Sequence, residues 1–320
     1  MFGQPDSQLR SSTVTRNYSS SAFWREELQP CPVCGSSDAA FLGTRGGRSH
    51  RTGQGVEARI VRCSSCHLVY SRPAVLPLGN PYADLEPHDY FESHPPPEKR
   101  TQGLRLIRTA EEILGRKGRL LELGCGRGDL LFAAREQGWQ VEGVEMTPAF
   151  ADAAAASGIP IERSSVENAR ALDRESAFDL IYLAAVLEHL YDPVSCLKRA
   201  RRALAPGGIL FIDVPNECSL RTTTGNLYMR LRGRHWAVNL SPTFPPFHVV
   251  GFCPRSLRRA LAESGLEEHT LEVVRWPVAL PRTTGFSGLI ESAGARLVDI
   301  IARMARDGDG IVCWARRPTS

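Results

Sequence analysis

The chain has 320 residues, enough for one large domain and a small one. Hydrophobic residues make up 42% and charged residues 23%, and 39 Lys+Arg against 35 Asp+Glu leave a formal charge of only +4. This composition excludes a disordered, collagen-like or disulfide-scaffold protein, and the charge is too mild to argue for nucleic acid. No apolar run reaches the ~18 residues of a membrane span, so no membrane partner is expected, and the N-terminus lacks the apolar core of a secretory signal.

Residues 1–23 are polar and rich in Ser and Thr, and disorder is expected there. Residues 24–72 carry two Cys-x-x-Cys turns, Cys31-Pro-Val-Cys34 and Cys63-Ser-Ser-Cys66. Each turn presents two thiolates, so together they suit a tetrahedral Zn²⁺ cage in a zinc ribbon; two disulfides or four inert thiols are the competing readings. Four cysteines close such a cage, which makes it structural and leaves His50 and His67 outside it. The 28 residues between the pairs are long for a ribbon. The excess, residues 43–55 with Arg45, Arg48 and Arg51, reads as a hairpin tip between strands near 39–42 and 58–61. Five further cysteines (Cys125, Cys196, Cys218, Cys253, Cys313) are scattered. Free thiols beside a thiolate metal site point to a reducing, cytoplasmic compartment. Residues 73–98 read as a linker ending in His94-Pro95-Pro96-Pro97, where proline breaks a helix and marks a boundary. Its aromatic cluster, Tyr82, His88, Tyr90 and Phe91, is either a strap across the next domain or a wall of its site, with Tyr90 as a candidate substrate contact.

From residue 99 to 320 strands and helices alternate, which predicts an α/β domain with a parallel sheet covered on both faces. Strands are expected at 119–125, 140–146, 161–164, 178–184, 209–214, 269–276 and 311–315. Helices are expected at 104–114, 129–137, 148–156, 193–204, 254–264 and 289–304, with Pro148 opening one and Gly265 closing another.

The densest signal is Leu121-Glu122-Leu123-Gly124-Cys125-Gly126-Arg127-Gly128, at the turn from the first of these strands into a helix. Glycine lets the backbone turn sharply and approach a ligand, and ligands of open α/β sheets sit at this strand edge. The spacing is G-x-G-x-G, which fits neither the dinucleotide fingerprint nor the P-loop. The next strand ends at Val144-Glu145, 17 residues after Gly128, where a carboxylate can accept hydrogen bonds from both hydroxyls of a ribose. Together with Asp179 and Glu188-His189, the segments ELGCGRGDLL, VEGVE, AFDLIYLAAVLEHLYDP and LAPGGILFIDVPN resemble the class I S-adenosylmethionine (SAM) methyltransferases over residues 104–317. The resemblance implies a Rossmann-like seven-stranded domain with SAM as cofactor. It implies that Gly124, Cys125, Gly126 and Gly128 face the methionine part while Glu122 supports the loop. Glu145 would bind the ribose, Met146 the adenine face, Ser165 and Val166 the adenine pocket, and Ala184 the methionine again. The order CPVCG, VRCSSCHLVYSRP, the SAM segments, then FHVVGFCPRSLRRALAESGL is similar to bacterial methyltransferases with an N-terminal zinc ribbon. Some of these act on nucleotide-linked sugars.

For the acceptor, Glu188-His189 follows the fourth strand and His248 lies just before the helix at 254. Histidine has a pKa suited to a general base near neutrality, and a structural histidine is the alternative at both positions. Some quinone-biosynthesis relatives carry an extra Glu three residues before Glu-His and bind a divalent metal; here that position is Ala185. An insert at 217–247 holds Arg221, Tyr228, Arg230, Arg232, Arg234, His235 and Trp236 and reads as an arginine-rich lid for phosphate or carboxylate, or as a solvated basic face. The expected function is methyl transfer to a small anionic acceptor, such as a nucleotide-linked sugar or a related glycan or natural-product intermediate. RNA methylation guided by the ribbon and a non-enzymatic SAM-binding scaffold are the alternatives. The sequence leaves the oligomeric state open.

Overall fold

The apolar runs around the two cysteine turns become short antiparallel strands. The computed structural model describes residues 17–82, 96–276 and 286–319. The first strands are β1 (Trp24–Glu27), β2 (Ala39–Arg45), β3 (Ala58–Cys63), β4 (Val69–Ser71) and β5 (Ala74–Pro77). β2, β3 and β4 form a meander, and β1 pairs with β5. The linker expected over 73–98 therefore begins as a strand. Helix α1 (Pro96–Leu114) starts within the proline run that was expected to exclude a helix. Proline is tolerated in a first turn, whose N–H groups have no intrahelical partner to lose.

Residues 17–23, expected to be disordered, form two 3-10 turns. Tyr18 is the reason: it is only 3% exposed, its ring sits edge-on to Phe247 at 5.5 Å, and its carbonyl accepts from Trp24 Nε1 at 2.8 Å. One buried aromatic ring outweighs a polar neighbourhood. Residues 1–16 lie outside the described residues.

The α/β part contributes β6 (Arg119–Leu123), β7 (Gln140–Val144), β8 (Ile161–Glu162), β9 (Phe178–Ala184), β10 (Leu204–Pro215), a two-residue strand β11 (Val250–Gly251), β12 (Glu267–Val274) and β13 (Gly310–Arg316). Its helices are α2 (Asp129–Glu136), α3 (Pro148–Ala155), α4 (Pro193–Ala203), α5 (Leu220–Leu231), α6 (Pro254–Ser264) and α7 (Phe286–Met304). Seven strands form one sheet in the order β8-β7-β6-β9-β10-β13-β12, with β13 antiparallel to both neighbours. This is the mostly parallel seven-stranded α/β fold that the alternating pattern implied. The first strand stops at Leu123, short of the expected Cys125, because Gly124 turns the chain at φ 70. The lid insert, for which no element was expected, contains α5.

Side chains alternate across the sheet and build a core on each face. Leu120, Leu180, Phe211 and Trp314 meet Ile107 of α1 and Leu131 of α2. Leu121, Ile181, Leu210 and Ile212 meet Leu197 of α4, Leu257 of α6 and also Cys31, Cys63, Cys66 and Leu68 of the cysteine turns. The ribbon thus shares a core with the large sheet. β11 completes the seam: it joins the ribbon sheet by pairing Val250 with Tyr70 and Gly251 with Val69.

The chain runs from β6 outward through β7 and β8, then returns to β9 on the other side of β6. That makes β6/β9 the switch point of the sheet, where an open α/β fold leaves a crevice at the carboxyl ends of its strands. No helix among the described residues is long and apolar enough to cross a membrane. Tyr18→Ala is expected to cost about 3 kcal/mol in urea unfolding, as for other buried aromatic truncations; a loss below about 0.5 kcal/mol would show that residues 17–23 do not belong to the core.

Candidate active site

The glycine turn sits at this switch point. Gly124, Gly126 and Gly128 have φ of 70, 54 and 78, a region that other residues rarely adopt. Gly124 and Cys125 both donate to Val144 O, which ties the turn to the end of β7. A Cβ on Gly126 would meet nothing within 4 Å, so the loop faces open space there. Glu145, 6% exposed, accepts from Gly126 N at 2.9 Å on Oε2 and from Thr147 N at 2.7 Å on Oε1. Each carboxylate oxygen accepts more than one hydrogen bond, so capacity remains for ligand hydroxyls. Met146 leaves 38% of its surface exposed beside this carboxylate. Ser165 caps the 3-10 turn that begins at Val166, and Ala184 ends β9. Cys125 is buried with its thiol pushed up by burial, which makes it inert. Glu122, 8% exposed, lies one residue before the end of β6.

A second cluster forms where β9 leaves the sheet. Glu188 and His189 lie in a 3-10 turn at Leu187–His189, and His248 reaches them from the segment before β11. The imidazole rings of His189 and His248 meet edge-on at 4.9 Å. Glu188 Oε1 is 3.9 Å from His248 Nε2, and Val249 N donates to Glu188 O at 2.9 Å. His189 Nδ1 lies 3.2 Å from Phe247 O and 3.0 Å from Tyr82 Oη. A carbonyl only accepts, so Nδ1 carries the proton and Nε2 keeps its lone pair. Two non-glycine residues with positive φ frame the cluster, Ala185 at 52 and Phe247 at 65. Such strain persists only where the surroundings over-determine it, and it gathers at functional sites.

Burial dominates the electrostatics. It pushes His189 down to about 4 and, with His189 beside it, His248 down to about 3. It pushes Glu188 up to about 8 and Asp213 of β10 up to about 6. The two imidazoles are therefore neutral at pH 7. Glu188, His189 and His248 also bring three possible ligand atoms within 4.8 Å of one another, while Ala185 supplies no carboxylate.

Sequence reasoning missed Tyr82 as a partner of His189 and missed Asp213 altogether. Tyr90, chosen from the same aromatic cluster, lies outside the described residues, as do His88 and Phe91. The signal for Asp213 was present: it is the only acid in the apolar run Ile209–Val214.

The arginine-rich insert engages the ribbon. Arg230 Nη2 donates to Leu42 O, Arg232 contacts Tyr228 Oη at 2.8 Å, and Arg234 stacks over Trp236 at 4.6 Å. Arg221 pairs with Asp309 at 3.4 Å. The hairpin tip is fastened to the same insert: Thr44 N donates to His235 O, Ala237 N to Thr44 O, and Arg45 Nε to Leu240 O. Gly55, at φ 70, lets Thr243 approach where a Cβ would lie 2.5 Å from its carbonyl. None of these contacts reaches His189 or His248.

The four cysteines of the paired turns converge. Their sulfurs lie within 4.8 Å of one another, with Cys31–Cys66 and Cys34–Cys63 each at 3.5 Å. Tetrahedral Zn–S bonds of ~2.3 Å require edges of about 3.8 Å, so the donor set fits zinc. The buried Tyr70 hydroxyl has no hydrogen-bond partner, and its titration is raised first by burial and then by the neighbouring Cys31, Cys63 and Cys34. Thiolates of a filled site would give it an acceptor. His50 and His67 are turned elsewhere, His50 onto Phe244 and His67 toward Arg255.

Residues 98–271, just over half of the chain, match a family described as Methyltransferase domain. A ubiquinone biosynthesis O-methyltransferase from Histophilus somni is 33% identical over 108 residues, covering 31% of this chain and 45% of the relative. A trans-aconitate 2-methyltransferase from Methylobacterium radiotolerans is 38% identical over 99 residues, covering 30% of this chain and 38% of the relative. The chain thus spans less than half the length of these curated relatives. A SAM-dependent methyltransferase from Archaeoglobus fulgidus, known from a crystal structure, aligns with a TM-score of 0.47 at 18% identity over 68% of this chain and 94% of that one.

The histidines should mark the acid stability of the protein. Both are held below their ordinary value of 6.5, so their contribution is complete above pH 6.5 and is lost as pH falls toward 4. Glu188 acts in the opposite sense, its contribution declining as pH rises from 4.5 through 8. At pH 5 each histidine accounts for about 2 kcal/mol of lost stability. His189→Gln is expected to flatten the decline of the urea midpoint between pH 6.5 and 4.5; an unchanged slope would mean that this imidazole is not buried in the neutral form.

Proposed function

The chain belongs to the methyltransferase domain family, and on that premise we propose that it transfers the methyl group of S-adenosylmethionine to a small-molecule acceptor. The observation that carries this reading is the glycine turn at the switch point, open at Gly126 and closed by the buried Glu145. Bound SAM supplies an electrophilic methyl group on a sulfonium. In this reading Gly124, Cys125, Gly126 and Gly128 cradle its methionine part with Ala184, and Glu122 supports the loop. Glu145 accepts the ribose hydroxyls, Met146 covers the adenine, and Ser165 and Val166 line its pocket.

His189 is the preferred general base, because its Nδ1 proton is committed to Phe247 O and its Nε2 lone pair is available. His248 is the second candidate, and Glu188, whose backbone carbonyl accepts from Val249 N, positions the segment that carries it. The acceptor's nucleophile would take the methyl group that SAM would supply, leaving the carbon–sulfur electron pair on sulfur, while His189 would take the nucleophile's proton. The remaining work is alignment of the two reactants in a site shielded from water.

For the acceptor we favour a nucleotide-linked sugar or a related glycan or natural-product intermediate. Arg230, Arg232 and Arg234, all exposed, with Tyr228 and Trp236, would hold its anionic end, and Tyr90 would add a wall. The ribbon is given a structural role in this reading, since its tip is fastened to the insert at Thr44 and Arg45. All nine cysteines are free, which suits zinc at Cys31, Cys34, Cys63 and Cys66 and a reducing, cytoplasmic setting.

Glu145→Ala is expected to weaken SAM binding by about 1–3 kcal/mol, roughly 5- to 150-fold in Kd by titration calorimetry. Unchanged affinity would remove Glu145 from the site. The purified protein should carry one zinc per chain by elemental analysis, and Cys63→Ser should lose it with a fall in Tm; a metal-free but stable wild type would defeat the zinc assignment.

A further inference from the structure

We infer that Glu188 and Asp213 are the acceptor-reading pair of this site, and that the end of the acceptor entering it presents hydroxyl or amine donors and carries no negative charge. The inference rests on the methyl-transfer reading above and deepens it by naming the chemistry of the reacting end.

Asp213 lies on β10 directly beside Ala184, the last residue of β9, and its carbonyl accepts from Ala185 N at 2.8 Å. Glu188 follows three residues later, so both acids stand at the carboxyl edge of the two strands beside the switch point. Glu188 is 1% exposed, and its Oε2 has no hydrogen-bond partner. Asp213 Oδ1 is buried and equally without one. An unpartnered buried carboxylate oxygen is costly and rare, so two at one edge call for an explanation.

The neighbouring side chains do not supply one. His248 Nε2 stands 3.9 Å from Glu188 Oε1, too far for a hydrogen bond. His189 commits its Nδ1 proton to Phe247 O. Among the described residues no Lys or Arg pairs with either acid, and Arg221 and Arg230 are engaged with Asp309 and Leu42 O. A ligand carboxylate or phosphate here would face two acids and two neutral imidazoles with no counter-charge. A hydroxyl or an amine would instead donate to Asp213 Oδ1, exchange a hydrogen bond with Glu188 Oε2 in either direction, and offer its lone pair for methylation. Any anionic portion of the acceptor must then lie away from this edge.

The wild-type protein is incubated with radiolabelled SAM and three acceptor pools: neutral polyols, including sugars; primary and secondary amines; and acids whose only nucleophile is a carboxylate or phosphate. Label is expected in the polyol or amine pool and absent from the acid pool. With a labelled acceptor in hand, Glu188→Gln and Asp213→Asn are each expected to raise its KM at least tenfold while the Kd for SAM stays within twofold of wild type. Label confined to the acid pool would overturn the inference and leave the methyl-transfer reading standing. So would a tenfold loss of SAM affinity in Asp213→Asn, which would assign the acids to the cationic SAM. An acceptor KM unchanged in both variants would also overturn it. Failure of the wild type to bind SAM would sink the methyl-transfer reading itself, and this inference with it.

Discussion

The segment that carries His248 is held in place by a strand of two residues. Val250 and Gly251 pair with Tyr70 and Val69 of the ribbon, while Val249 N bonds Glu188 O and Glu217 N bonds Phe252 O. The chain from Phe247 to Phe252 is thereby pinned between the ribbon on one side and the ends of β9 and β10 on the other. The packing admits nothing larger: a Cβ on Gly251 would lie 2.1 Å from Glu217 Cγ. A short strand has little stability of its own, so it depends on the ribbon being folded, and the ribbon in turn rests on the core that its four clustered, unbonded cysteines share with the large sheet. The geometry of the histidine pair is in this sense a consequence of the cysteine cluster, although no cysteine of that cluster touches either ring.

This coupling changes how the N-terminal module is understood. A zinc ribbon is readily pictured as an appended reader of another molecule. Here Cys31, Cys63 and Cys66 share a hydrophobic core with Leu197, Leu210 and Leu257, and the hairpin tip is bonded to the insert at three backbone positions. Such a module acts as a wall and a brace. It also spends much of the arginine that composition alone would assign to ligand binding: Arg45 donates to Leu240 O and stacks on Phe244, and Arg230 donates to Leu42 O.

The site is therefore governed by burial rather than by fixed charge. Glu188 and the two histidines titrate away from their ordinary values because water has been removed from them, and all three tend toward neutrality. A neutral site suits a reaction in which a cationic methyl donor and an uncharged nucleophile meet, since charge is dispersed as the bond forms and a preorganised low-dielectric environment magnifies each remaining dipole. The Phe247 carbonyl on His189 is one such dipole, and it selects the tautomer.

Much of this protein was legible in the linear sequence, and the reasons are local. Paired Cys-x-x-Cys turns, the Gly124–Gly128 turn and Glu145 at the end of β7 announce themselves because their chemistry depends on spacing along the chain. The apolar run of β9 announces a parallel strand because both its faces are buried. What the sequence could not determine was which distant segments meet. Tyr18 and Tyr82 arrive at Phe247 from over 160 residues away, and a tyrosine in a polar stretch carries no mark of its partner. Pro96 and Pro97 open a helix because position in the first turn matters more than residue type. Arg230 of the insert turned to the ribbon and Arg221 to Asp309, and Asp213 was left unpaired, because hydrogen-bond satisfaction is settled in three dimensions. Motif and periodicity determined the elements and the glycine turn; only the tertiary packing decided which side chains surround the histidines, because burial and partnership are properties of the folded whole.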